Sequence, residues 1–242
     1  MSKHPKISIV TVCYNAEKDI EKTILSVINQ TYDNIEYIVI DGGSNDKTLS
    51  IIDFYANKIN KVVSEPDNGI FDAMNKGLDL ATGDWINFMN SGDLFHDNNT
   101  IEKVFCRNIT ENIGVIYGNT DSKKGVLKMT PFYKQRCMLS PMGICHQSLF
   151  VRADLAKIHK FDLSYKVTAD YNMIKSIYNN GYKLFDTNIT ISFYDLSGFS
   201  AQNAILQLKE TAQICKMEGS WIFYLNLALV LLKQNVKRFL RK

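Results

Sequence analysis

Apolar runs and their spacing divide the first half of the chain into alternating strand and helix signals. Residues 7–12 are rich in β-branched side chains and predict a strand, which Cys13-Tyr14-Asn15 ends. Residues 17–28 place Ile20, Ile24, Val27 and Ile28 on one helical face. Glu17 and Asp19 fall in the first turn, where negative charge is favourable. A near-continuous apolar run over 35–40 carries the signature of a buried parallel strand. It breaks at Asp41-Gly42-Gly43. A helix follows over 46–55 with Leu49, Ile52 and Tyr55 on one side, then a short strand at Lys61–Ser64. The next helix spans 70–81, turns Met74, Leu78 and Ala81 inward, and is closed by Gly83. A strand over 85–89, a helix beginning at 101–105 and a strand over 115–117 continue the series. The alternation predicts an α/β fold: a Rossmann-like, mostly parallel sheet flanked by helices.

The second half is less regular. Residues 122–143 combine Gly125, Pro131 and Pro141 with Lys123, Lys124, Lys128, Lys134 and Arg136. Their weak periodicity predicts a strand-and-loop excursion over the sheet, able to help cover a ligand. Order resumes at 147–151, and Ala169–Asn179 reads as a helix stopped by Gly181. Strands over 182–185 and 189–193 and a polar-rich helix over 200–217, with Ile205, Leu208 and Ala212 inward, come next. In the last segment Trp221, Leu225, Ala228, Leu232, Val236 and Phe239 recur at helical spacing. Lys233, Lys237, Arg238, Arg241 and Lys242 follow with no acidic residue among them. An apolar helix with a basic end suits an anionic membrane surface. The same pattern fits packing on the main body or on a second copy in a homodimer. No stretch reaches the eighteen or so apolar residues of a spanning helix.

Composition narrows the classes. With 242 residues and 45% apolar content, the chain can build one large domain or a domain with an appendage. A formal net charge of +3 gives no reason to expect a nucleic acid partner. The five cysteines are scattered without ligand spacing, which predicts a reducing compartment and mostly buried thiols. Cys145-His146 has nothing nearby to complete a thiol or metal site, so structural use of Cys145 is expected. The start of the chain has no apolar leader, so a cytoplasmic location is expected.

Four polar clusters fall at strand ends: Asp41-Gly42-Gly43-Ser44-Asn45-Asp46, Asp67-Asn68-Gly69, Asn90-Ser91-Gly92-Asp93 and Gly118-Asn119-Thr120-Asp121. Ligands of open α/β sheets bind at the strand C-termini. Carboxylates gathered there fit a sugar nucleotide whose diphosphate is neutralised by a divalent metal. The first strand is not followed by Gly-x-Gly-x-x-Gly, and there is no Walker A sequence, which argues against hydride transfer and ATP hydrolysis.

Several ordered pieces carry a family resemblance. They are Ser8 to Asn15, Ser26-Val27-Ile28-Asn29-Gln30-Thr31-Tyr32, Glu36 to Ser44 with Asp46, Ser64 to Gly77, and Ala81-Thr82-Gly83-Asp84 leading into Asn90-Ser91-Gly92-Asp93. Together they resemble the nucleotide-sugar-binding domain of the inverting glycosyltransferases of family 2, which have the GT-A fold. The resemblance covers roughly residues 6–195 and looks closest to bacterial enzymes that extend surface polysaccharides such as O-antigen or capsule. It implies a catalytic domain over 1–198, with a nucleotide-sugar half (1–95) and an acceptor half (96–198), and a C-terminal helical extension over 199–242.

The resemblance also assigns residues. Thr11, Tyr14 and Asn15 surround the nucleotide, and Asp41 reads the uracil or ribose edge, although with Ser44 it would also suit a helix cap. Asp72 faces the ligand, and Lys76 neighbours the phosphates. Asn90-Ser91-Gly92-Asp93 occupies the place of the family's Asp-x-Asp metal motif, with Asn at the first acidic position. Asp93 is then the metal ligand for Mn²⁺ or Mg²⁺, and Asn90 and Ser91 touch the donor. Asp170 matches the catalytic base, though it would also suit an N-cap. His146, Gln147, Tyr194 and Asp195 fall on the acceptor or diphosphate side.

The expected reaction moves a hexose or N-acetylhexosamine from a UDP-sugar to a glycan, with the acceptor carried on polyprenyl diphosphate at the inner face of the plasma membrane. Two other readings stand beside it: a sugar nucleotidyltransferase, and a non-catalytic glycan-binding scaffold derived from a transferase. The first would want a Gly- and Arg/Lys-rich phosphate loop after the first strand, which is missing.

Overall fold

The computed structural model describes residues 4–131, 133, 143–194 and 203–239, with side chains through 232. Strands β1 (Ile7–Cys13), β2 (Ile35–Asp41), β3 (Lys61–Ser64) and β4 (Trp85–Phe88) alternate with helices α1 (Ile20–Ile28), α2 (Thr48–Phe54) and α3 (Ile70–Leu80). There follow β5 (Leu94–Phe95), α4 (Thr100–Phe105), β6 (Ile113–Asp121), β7 (Leu149–Arg152), α5 (Ala153–His159), α6 (Ala169–Asn179) and β8 (Lys183–Phe193). Helices α7 (Ala204–Cys215) and α8 (Trp221–Phe239) close the chain.

One sheet runs β3-β2-β1-β4-β7-β6-β8-β5. Strands β1 to β4 are parallel where they pair, as the alternation predicts. Beyond β4 the sheet is mixed: β7 is antiparallel to both neighbours, β8 is parallel to β6, and β5 is antiparallel to β8. The two strands expected over 182–185 and 189–193 are one, β8. Its register against β6 shifts repeatedly, and Asn188 has a φ of 53°.

Both faces of the sheet are covered, which explains the unbroken apolar runs. Val10, Val12, Ile38 and Ile40 pack on one side with Met74 and Leu78 of α3 and with Ile174 and Ile177 of α6. Ile7, Ile9, Tyr37 and Val39 pack on the other with Ile20, Ile24 and Val27 of α1. Helix α3 approaches β1 so closely that a Cβ at Gly77 would collide with Val10. Helix α8 lays Ile222, Phe223, Leu227 and Val230 against Leu208 and Ala212 of α7. The thiols are more varied than expected: Cys13 is buried, Cys145 and Cys215 are half-buried, and Cys106 is exposed.

Away from the strand C-termini, Glu36 is 4% exposed. It accepts hydrogen bonds from Ser8 Oγ (2.6 Å), Thr82 N (2.6 Å), Thr82 Oγ1 (2.7 Å) and Lys6 Nζ (3.2 Å). Burial pushes its pKa up, but these bonds outweigh burial and hold the carboxyl at about 2. Because the folded value lies below an unfolded one of about 4.3, the stabilisation is complete above that pH and is lost as pH falls towards 2. It amounts to about 3 kcal/mol at neutral pH. In urea denaturation, Glu36→Gln should therefore be less stable than wild type at pH 7, with the gap narrowed by about half at pH 3. An undiminished gap at pH 3 would refute the charge as its source.

Candidate active site

The parallel register sets Cys13 beside Asp41, and Asp41 beside Ser64, along one edge of the sheet. Asp41 is 0% exposed. Its carboxylate accepts from Gly43 N (3.1 Å), Ser44 N (3.0 Å) and Ser64 Oγ (2.7 Å), and from the Ser44 hydroxyl. Burial opposes ionisation, but these donors hold its pKa below the ordinary carboxylate value. Asp41 therefore shapes the loop from inside, and in this conformation it presents no free oxygen to a base edge. Asn15, at φ 48°, joins the same loop: its N–H donates to Ser44 Oγ (2.8 Å), and its Oδ1 accepts from Asn45 N (2.9 Å). Tyr14 is 61% exposed and lies beside Gly42. A Cβ at Gly42 would strike the Asp67 carboxylate, so Tyr14, Gly42 and Asp67 form one wall.

Thr11 is placed differently from its expected ligand contact. Strand alternation turns it into the core, where its hydroxyl donates to Met89 O (2.8 Å) and lies 3.1 Å from Tyr37 Oη. Asp72, in the first turn of α3, accepts from Asn68 N (2.9 Å) and Asn68 Nδ2 (3.3 Å). Lys76 donates to Pro66 O (2.8 Å) and pairs with Glu65 Oε1 at 2.8 Å, the contact that raises its pKa.

The third cluster is fastened to α1. Thr23 Oγ1 donates to Asp93 O (3.0 Å) and accepts from Gly92 N (3.0 Å). Asn90 Oδ1 and Ser91 Oγ are enclosed and have no partner. Gln147, buried in the short 3₁₀ turn His146–Ser148, donates to Asp93 Oδ1 at 3.1 Å.

His146 joins the two halves. Its Nε2 lies 3.6 Å from Asp93 Oδ2 and 3.2 Å from Asn90 Nδ2, and its Nδ1 lies 3.8 Å from Asp170 Oδ2. Burial pulls the imidazole pKa down, but the contact with Asp93 and the charges of Asp93 and Asp170 outweigh it and raise the pKa. Burial raises the Asp170 pKa, with His146 acting against it. Thr168, not Asp170, is the N-cap residue of α6. Asp170 Oδ1 accepts from Tyr171 N (2.7 Å), while Oδ2 faces His146. The sequence flagged His146 and Asp170 separately; their juxtaposition comes from tertiary packing.

Tyr194 N donates to Asp121 O (2.9 Å), and Asp121 Oδ2 lies 3.7 Å from His96 Nδ1, a pair that sequence reasoning missed. Asp195 lies outside the described residues. Burial raises the Cys145 thiol to about 11, which suits a structural role and not a nucleophile. A cavity of about 560 Å³ opens elsewhere, beside Pro5, Gly83, Asp84 and Arg152. It lies at the strand N-termini, and Arg152 there is already paired with Asp154. Among the described residues, no three His, Cys, Asp or Glu side chains converge as metal ligands.

The sequence model of the family described as "Glycosyl transferase family 2" matches residues 8–159. The chain belongs to glycosyl transferase family 2. This family 2 glycosyltransferase is 29% identical over 181 residues to a PGL/p-HBAD biosynthesis glycosyltransferase of Mycobacterium bovis (strain BCG / Pasteur 1173P2), across 73% of this chain and 71% of that protein. Its fold is similar to S. aureus TarS 1-349 in complex with UDP-GlcNAc: 19% identity, a TM-score of 0.71, and coverage of 87% of this chain and 65% of that one. It is also similar to mannosyltransferase PcManGT from Pyrobaculum calidifontis in complex with GDP-Man and Mn²⁺, at 17% identity and a TM-score of 0.69, across 93% and 70% of the chains. These structural likenesses show the GT-A-like fold. Family membership sets aside the nucleotidyltransferase alternative. Asp170 lies beyond the matched span.

Proposed function

We propose that this family 2 glycosyltransferase moves a hexose or N-acetylhexosamine from a UDP-sugar, with inversion, to a surface glycan growing on polyprenyl diphosphate. The observation that carries the reading is the line Asp170, His146, Asp93 across the strand C-termini. Asp170 Oδ2 takes the proton of the acceptor hydroxyl as its oxygen attacks the anomeric carbon. The bond from that carbon to the UDP oxygen breaks on the opposite face. His146, set between the two carboxylates, offers an N–H where the leaving diphosphate gains negative charge. Tyr14, Asn15, Asp67 and Asp72 border the nucleotide side; Gln147 braces Asp93 on the diphosphate side, and Tyr194 belongs to the acceptor side.

A divalent metal fits the residues present. Asp93 carries a carboxylate, and Asn90 Oδ1 and Ser91 Oγ are enclosed oxygens without partners, the hard donors that Mg²⁺ or Mn²⁺ prefers. Asp93 would hold the ion with Asn90 and Ser91 beside it, and oxygens of the donor diphosphate would supply further ligands. When bound, the ion would supply charge neutralisation to the leaving group.

The C-terminal pair supports a peripheral place on an anionic membrane, with 199–242 as an extension to the 1–198 catalytic domain. The outward side of α8 exposes Trp221, Tyr224, Leu225, Leu229 and Leu232. Among the described residues, no helix is long and apolar enough to cross a membrane.

Thermal unfolding tests the donor class. UDP with Mn²⁺ or Mg²⁺ should raise the melting temperature by mass action, and NAD should not. No stabilisation at saturating UDP, or equal stabilisation by NAD, overturns the UDP reading; a response to GDP alone would move the donor to GDP-sugars.

A further inference from the structure

Glu210 lies on α7, in the C-terminal extension, and is 4% exposed. It has no partner on its own helix that would explain a buried carboxylate. Its oxygens instead reach the segment that leads into α6. Oε1 accepts from Lys166 N (2.7 Å). Oε2 accepts from Val167 N (3.0 Å), Thr168 N (3.0 Å) and Thr168 Oγ1 (2.9 Å).

Thr168 would ordinarily turn its hydroxyl onto its own helix. Here it makes no such bond, and its hydroxyl donates to Glu210. Its carbonyl accepts the first helical bond, from Asn172 N (3.0 Å). The backbone two residues before Asp170 is therefore held from below by the helix and from the side by one carboxylate. Three consecutive N–H groups, those of the N-cap Thr168 and of the two residues before it, converge on that anion just ahead of the helix N-terminus, where negative charge is favourable.

We infer that Glu210 is a positioning residue for the transfer reaction: it fixes the entry to α6 and so sets Asp170 against His146, which makes α7 a working part of the acceptor side. The inference rests on the proposed base role of Asp170. The charge of Glu210 also adds to the raised pKa of Asp170, in the direction that suits a base. Neutral glutamine would not replace it. An amide has one acceptor oxygen, and its NH₂ end would face backbone donors.

The test compares E210Q with L208A, a loss of buried packing on the same helix that leaves the carboxylate alone. E210Q should lower kcat by about 10- to 100-fold, the scale of a small misplacement of a reacting group, with UDP affinity within a few-fold of wild type. Hydrogen exchange at the amides of residues 166–168 should speed up in E210Q and not in L208A. L208A should lower the melting temperature yet keep kcat at a permissive temperature. Near-normal kcat in E210Q, or an equal kcat loss in L208A at a matched drop in melting temperature, overturns the inference. If E210Q lacks a folded core, E210D keeps the charge but draws it back, and the same two readouts apply at smaller size. Asp170→Asn measured in parallel separates the two failures. If that variant is active the base reading falls, while exchange at 166–168 still reports whether Glu210 holds the segment.

Discussion

Asp170→Asn is expected to lower turnover by about 10²- to 10⁴-fold, the usual worth of a general base, with UDP affinity nearly unchanged. The substitution keeps the shape of the side chain and its bond from Tyr171 N, so α6 should stay in place. It removes only the capacity of Oδ2 to take a proton. Burial raises the pKa of this carboxyl, so the acid limb of the kcat profile should lie above the ordinary carboxylate range of about 3.9. Asp93→Ala should behave differently. It removes the acceptor of Gln147 Nε2 and the carboxylate beside His146 Nε2, so donor binding and its metal dependence should weaken together with turnover. Steady-state kinetics at saturating acceptor, with UDP affinity from calorimetry, separates the two. Near-normal turnover in Asp170→Asn would send the base elsewhere, with Asp195 the next candidate.

The parts of this site legible in the sequence were those written locally. The apolar runs of β1 and β2 and the Gly-rich break after Asp41 mark a strand edge without any knowledge of its neighbours. Ala169–Asn179 is bounded by its own period and by Gly181, and the helix forms over those residues. Pairing information is not local, and the reading loses detail there. Helix α5 follows β7 without an intervening residue, so no turn signal marks where the strand ends and the helix begins. The helix expected from residue 17 begins at Ile20; residues 17–19 form a turn in which Asp19 N and Ile20 N donate to Ala16 O (3.0 and 2.9 Å). Thr11 and Asp41 show the same limit at the level of side chains. Both stand at the edge that the family motif marks, yet strand alternation and a ring of loop donors turn them inward. Glu210 carried no signal, since nothing in a polar-rich helix says which acid will be buried against a distant backbone segment.

Removal of residues 221–242 is expected to abolish liposome association while leaving UDP binding intact. Trp221 is 74% exposed, and Tyr224, Leu225, Leu229 and Leu232 extend the same bare face, while Ile222, Phe223, Leu227 and Val230 are occupied by α7. The helix thus already uses one apolar side for the protein and offers the other outward. The described side chains end at residue 232, so Lys233, Lys237 and Arg238 are placed only by the helix backbone, and Arg241 and Lys242 lie outside the described residues. In sequence these five cations follow the apolar face directly. Each is worth on the order of 1 kcal/mol near an anionic surface, so together they amount to roughly a thousandfold or more in partitioning. Neutralising them should therefore weaken association most at low salt, since screening already blunts the attraction at high salt. The truncation spares α7, so Glu210 keeps its contacts with residues 166–168, and the donor side lies wholly before the cut. Flotation with anionic and neutral liposomes reads the outcome. Equal binding to both, with α8 protected in a stable dimer, would assign the bare face to a second copy of the chain.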